Sequence, residues 1–108
     1  MFIIKNRVNG EYDRRGSYNT FDKIKRGAWD KIGHAKNHVN MRVSYWNGVN
    51  HKILAWYLDA DFIEIDENGI VSTIPVSQYL HDYYATARQA NSLTAEERKR
   101  LCLEEVNA

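Results

Sequence analysis

Apolar and polar positions alternate most cleanly over Phe62-Ile63-Glu64-Ile65-Asp66, and a second β-branched run follows at Ile70-Val71-Ser72-Thr73-Ile74. Asn68-Gly69 lies between them and Pro75 ends the second run, so the pattern predicts a hairpin with Glu64 and Asp66 on its wet face. Asn9-Gly10 marks a two-residue turn of the same kind between Phe2–Arg7 and a strand near Glu11–Arg14. Asn47-Gly48 marks a third turn, with Met41–Trp46 reading as a strand before it. Lys52–Leu58 after it fits a buried strand and a short helix equally, because periodicity alone does not separate the two.

A different period runs through Phe21, Ile24, Ala28, Ile32, Ala35 and Val39, whose spacings of three and four define one face of a first helix. Gly27 and Gly33 fall inside it, so its regular part is expected from about Ala28 onward, or a neighbouring backbone comes close. Ser77 reads as the N-cap of a second helix with the stripe Leu80, Tyr83, Tyr84, Ala87. Thr94-Ala95-Glu96-Glu97 is a capping box that opens a third, with Arg98-Lys99-Arg100 on the favourable side of its dipole. The apolar face of that last helix is thin: Leu101, Cys102 and Val106. The elements predict an α+β class, a small antiparallel sheet of hairpins on one main helix followed by two C-terminal helices. Residues 1–90 are expected as one domain and 91–108 as a helical tail, loosely docked or binding a partner.

Composition narrows the functional classes. The chain has 108 residues, 44% of them hydrophobic, with thirteen aromatic rings. That is enough for a single core and far from a disordered composition. The lone cysteine, Cys102, forms no internal disulfide, and the opening Met1-Phe2-Ile3-Ile4-Lys5 lacks the form of a leader peptide. The longest apolar run, Ile53–Leu58, is too short for a membrane span. These features point to a cytoplasmic protein without membrane residence.

Net charge of +1 conceals a division along the chain. Residues 1–55 hold eleven Lys or Arg against four acids, a net of +7; residues 56–108 hold four against ten, a net of −6. Such asymmetry bears on partners. Arg14, Arg15, Lys23, Lys25, Arg26, Lys31 and Lys36 are interleaved with Tyr12, Tyr18, Phe21 and Trp29. Cations for phosphates and rings for bases are what a nucleic-acid surface combines, while the plainer reading places the rings in the core and the cations on its wet side. The same seven cations suit an acidic partner protein. Opposite charge on the two halves, with apolar Leu101, Leu103 and Val106 in the tail, also offers a homodimer contact.

Catalytic chemistry has no motif to stand on. His34 and His38 share a helical face at i, i+4, yet two ligands do not make a metal site, and His51 and His81 stand at no ligand spacing to them. Asp59, Asp61, Glu64, Asp66 and Glu67 lack the spacing and central glycine of a calcium loop. Cys102 reads as a passive thiol, and neither a phosphate loop nor a nucleophile elbow is present. The sequence therefore predicts no enzyme, no cofactor and no metal.

Phe2-Ile3-Ile4-Lys5-Asn6, Asn9-Gly10-Glu11-Tyr12, Gly16-Ser17-Tyr18 and the run Trp29-Asp30-Lys31-Ile32-Gly33-His34-Ala35-Lys36-Asn37-His38-Val39 carry a resemblance. With Asp61–Ile65 they cover residues 1–75 and resemble a group of small bacteriophage proteins: an opening hairpin, then a helix of the form W-x-x-x-G-x-A-K-x-H. The resemblance transfers no active residues. It implies a phage-encoded accessory protein in the bacterial host cytoplasm. Together with the small single domain, the missing active site and the divided charge, it leads to the expectation of a protein that binds and modulates a host macromolecule in host takeover or anti-defence; the basic half offers nucleic-acid binding as the alternative.

Overall fold

Five antiparallel strands and four helices make up the computed structural model, which describes residues 1–15, 21–46, 52–85 and 93–103. In chain order they are β1 (Phe2–Asn6), β2 (Tyr12–Asp13), β3 (Phe21–Asp22), α1 (Ile32–Trp46), α2 (Lys52–Leu58), β4 (Ala60–Asp66), β5 (Gly69–Pro75), α3 (Val76–Tyr83) and α4 (Ala95–Arg100). The sheet order is β3-β2-β1-β4-β5. The class is α+β, as expected.

The β4–β5 hairpin forms where alternation placed it, with Asp66 opposite Gly69 and Gly69 at φ 117°. A left-handed backbone at this point favours glycine because it has no Cβ. Ile4, Phe62 and Ile74 stand in register across β1, β4 and β5 and face the helices, where Val39, Val43, Leu54, Tyr57, Leu80 and Leu101 complete one core. Side chains alternate across a strand, so the next register row, Ile3 and Ile63, lies on the opposite face, and it too is buried.

Other elements differ from the sequence reading for identifiable reasons. The first hairpin turns through four residues, 7–10: Lys5 pairs with Tyr12, and the Asn6 side chain accepts from the amides of Val8 and Asn9. That local bond favours a wider turn than Asn-Gly alone demands. Helix α1 begins only at Ile32, because Phe21-Asp22 pairs with Tyr12-Asp13 and Trp29 exchanges backbone bonds with Phe2. Phe21, Ile24 and Ala28 therefore share helical spacing without sharing a helix. Met41–Trp46 is the last part of α1, in place of a strand, and its Val43 continues the buried line of Ala35 and Val39.

Asn47-Gly48 falls outside the described residues, between two helices and not two strands. Lys52–Leu58 is the helix α2. Helix α3 starts two residues earlier than a Ser77 cap requires, with Pro75 at the N-cap and no side-chain cap bond. The capping box of α4 forms in full: the Thr94 hydroxyl accepts from the Glu97 amide, and the Glu97 carboxylate accepts from the Thr94 amide. Leu93 and Leu101 are buried in the common core and Arg100 pairs with Asp59 at 2.6 Å. Residues 93–101 are thus tied to the body of the fold.

Candidate functional site

Sheet order decides what becomes of the charge division. Strands β1–β3 belong to the basic half and occupy one side of the sheet; β4 and β5 belong to the acidic half and occupy the other. Interleaving would have cancelled the dipole. Within the sheet the two halves adjoin at the β1–β4 seam, where Arg7 pairs with Asp61 at 3.0 Å.

At the far side of β1–β3, the chain leaves β2 through Arg14 and Arg15 and returns along Gly27 and Ala28. Gly27 donates its amide to the Asp13 carbonyl at 2.8 Å, and Arg15 Nη1 donates to the Ala28 carbonyl at 2.9 Å. The two stretches are so close that a Cβ on Gly27 would stand 2.5 Å from the Arg15 Cβ and 2.9 Å from the Arg14 carbonyl carbon. Only glycine fits there. Arg15, at φ 67°, lays its guanidinium 5.6 Å from the centre of the Trp29 ring.

Beneath this crossing lies Asp13, wholly buried. Its Oδ1 accepts from the Arg15 amide at 2.8 Å, and its Oδ2 accepts from the Tyr57 hydroxyl at 2.6 Å. His38 Nε2 stands 3.1 Å from Oδ1 and 3.0 Å from Oδ2, donating between them. A buried carboxylate without such donors would be strongly destabilising. Burial, first, and then the Asp13 charge and hydrogen bond push the Tyr57 phenol well above its ordinary pKa, with Arg42 opposing. Tyr57 therefore stays protonated and donating. Phe21 stacks on Trp56 at 3.9 Å and meets Tyr57 edge-on, so aromatic packing fixes β3 over the same cluster.

Carboxylate, imidazole and phenol converge here as they do in acid–base sites. Asp13 is sealed from solvent, however, and both of its oxygens are engaged, so the cluster positions the loop above it and presents no oxygen to a substrate. Sequence reasoning missed it because Asp13 lies 25 residues from His38 and 44 from Tyr57. No spacing rule spans such distances.

Of the seven expected cations, Arg14, Arg15, Lys23, Lys25, Arg26 and Lys31 are exposed along this edge. Lys36 is not among them: it is half-buried, its ammonium 5.6 Å from the centre of the Tyr79 ring on α3. Asp22 works inside the edge, its carboxylate accepting from the Ile24 and Lys25 amides, and these bonds, followed by the charges of Arg14 and Lys25, lower its pKa. In the middle of the cations stands Ile24, 88% exposed. The rings expected to stack on bases are otherwise occupied: Phe21 on Trp56, Trp29 buried, and Tyr12 beneath the Lys5 ammonium. Tyr18 lies outside the described residues.

The histidines at i, i+4 do not act together, since His34 is exposed while His38 turns to Asp13. Among the described residues no group of three or more His, Cys, Asp or Glu side chains is placed to hold a metal ion. Exposed Cys102 borders an open groove of about 290 Å³ with Pro75, Ser77, His81 and Arg100, in which Arg100 is held by Asp59 and His81 Nδ1 by the Leu101 carbonyl. No described helix is long and apolar enough to cross a membrane. No family model, curated protein or solved structure matches the chain.

Proposed function

We propose that this chain is a non-enzymatic, phage-encoded accessory protein that binds a host protein through its cationic edge. The partner surface is acidic and offers an apolar recess for Ile24. The observation that carries this reading is the exposed run Lys23-Ile24-Lys25-Arg26, an apolar side chain 88% open to solvent among three cations, on a loop anchored by buried Asp13. Charge steers the encounter, and a desolvated apolar anchor supplies most of the holding energy.

Nucleic acid is the second reading, favoured by the five other exposed cations beside Lys25. It is weaker, because three of the four rings that would stack on bases are packed or covered. Affinity capture from bacterial lysate separates the two. Wild type is expected to retain one partner that is lost with Ile24→Asp and with Lys25→Glu, while both variants melt as wild type does. A gel shift of RNA or DNA at about 50 mM salt, weakened by Lys25→Glu and indifferent to Ile24→Asp, would support the nucleic-acid reading instead. Absence of both outcomes would refute binding at this edge.

A further inference from the structure

We propose that β5 is a self-association edge: two copies pair β5 against β5, antiparallel, about a twofold axis at Ser72, joining two five-stranded sheets into one of ten. Among the described residues nothing pairs with the outer side of β5, which runs for seven residues, whereas the opposite edge strand, β3, has only two. Free edges are normally guarded by charge, because their open backbone groups recruit further strands. Gly69–Pro75 contains no charged residue.

The choice of a second copy rests on the strand's own symmetry. Ile70-Val71-Ser72-Thr73-Ile74 has nearly the same side-chain shapes in both directions about Ser72. Antiparallel pairing on that centre sets Ile70 against Ile74, Val71 against Thr73 and Ser72 against itself. Four of these five residues are β-branched, the type that packs best across a strand pair. Gly69 meets Pro75 at each end, where the proline stops the ladder. An isologous interface requires such self-complementarity, and an uncharged strand does not repel its own copy.

The bulge at Val71, which has no partner on β4, leaves Ile70 and Val71 exposed by 69% and 54%, and pairing would cover both. Of the acids on β4, Glu64 would face its own copy, and Asp61 the Asp66 of the second copy, across three strand spacings, about 14 Å. That exceeds the screening length of about 8 Å in physiological salt. A ladder of five residues a side is small, so a micromolar dissociation constant is expected. The two cationic edges would then sit at opposite ends of the joined sheet, about 40 Å apart, making the protein bivalent toward a repeated partner.

Sedimentation of the full chain from about 1 to 500 µM tests the proposal. The expected result is a monomer–dimer equilibrium that is unchanged or strengthened as salt rises from about 50 to 500 mM, because screening relieves the β4 acids. Val71→Lys should raise the dissociation constant at least about tenfold with unaltered melting. In a Cys102→Ser background, Ser72→Cys should cross-link into dimers, and Glu67→Cys, more than about 20 Å from its copy, should not. A monomer over the whole range overturns the proposal. So does a dimer that dissolves with salt, which is the mark of basic-to-acidic pairing, or one indifferent to Val71→Lys, or cross-linking at Glu67 equal to that at Ser72.

Discussion

The two sides of the sheet are held by different means. On the acidic side, β4 and β5 pair at six positions, from Asp61–Pro75 to the turn at Asp66–Gly69, with one bulge at Val71. On the basic side, β2 and β3 contribute two residues each, too few to stand by ladder bonds alone. A buried carboxylate compensates there: Asp13 gathers bonds from the Arg15 amide, Tyr57 and His38, and its own carbonyl closes the loop at Gly27. Where a surface must be irregular to carry its cations, side-chain bonds from two helices replace the regular ladder.

The sharpest way to break this contrast is to remove the anchor. Asp13→Ala leaves the Tyr57 hydroxyl, the His38 ring and the Arg15 amide without their acceptor, and is expected to cost about 3–5 kcal/mol in denaturant unfolding. Hydrogen exchange should rise at Arg15 and Gly27 while β4–β5 amides keep their relative protection.

Tyr57→Phe removes one bond to the same carboxylate, about 1.5–3 kcal/mol by the same measurement. It also carries a pH signature. The folded phenol holds its proton well above 10.0, whereas the unfolded chain releases it near that value, so stability present below about pH 10 is lost as pH rises beyond it. Tyr84 and Tyr79 are raised in the same sense, chiefly by burial. Melting temperatures of the wild type should therefore fall above about pH 10, and Tyr57→Phe should make that fall shallower without abolishing it.

Two glycines refine the comparison. Gly27→Ala forces a methyl into the Arg14–Arg15 backbone and is expected to cost about 1–3 kcal/mol. Gly69→Ala meets open space, and its only penalty is the left-handed φ, about 1 kcal/mol. The basic side should thus prove sensitive to volume and the acidic side to backbone conformation, read as two denaturation midpoints.

The same contrast governs what the sequence disclosed. The β4–β5 hairpin and the Thr94–Glu97 box are local arrangements, complete within a few residues, and both were legible. The start of α1 was not, because Phe21, Ile24 and Ala28 matched helical spacing while backbone pairing with Asp13 and Trp29's bridge to Phe2 imposed extended chain. Six of the seven cations are exposed, as charge alone favours, yet nothing local revealed that Phe21 and Trp29 between them would turn inward. Lys36 sits on a helix whose orientation toward Tyr79 is a tertiary fact. The anchor under the cationic edge was least visible of all, since each of its bonds joins residues distant in the chain.

The β1–β4 seam has a consequence for how the molecule is made. Phe2 pairs with Glu64 and Asn6 with Ala60, partners 62 and 54 residues apart. A ribosome adding roughly 5–20 residues per second needs about 3–12 s to cover that interval. For those seconds Ile3 and Ile4 have been synthesised and the strand that completes their sheet has not. Folding of this sheet on the ribosome should therefore be delayed until β4 has emerged, with β1 held in an unpaired, apolar state that a chaperone can bind until then.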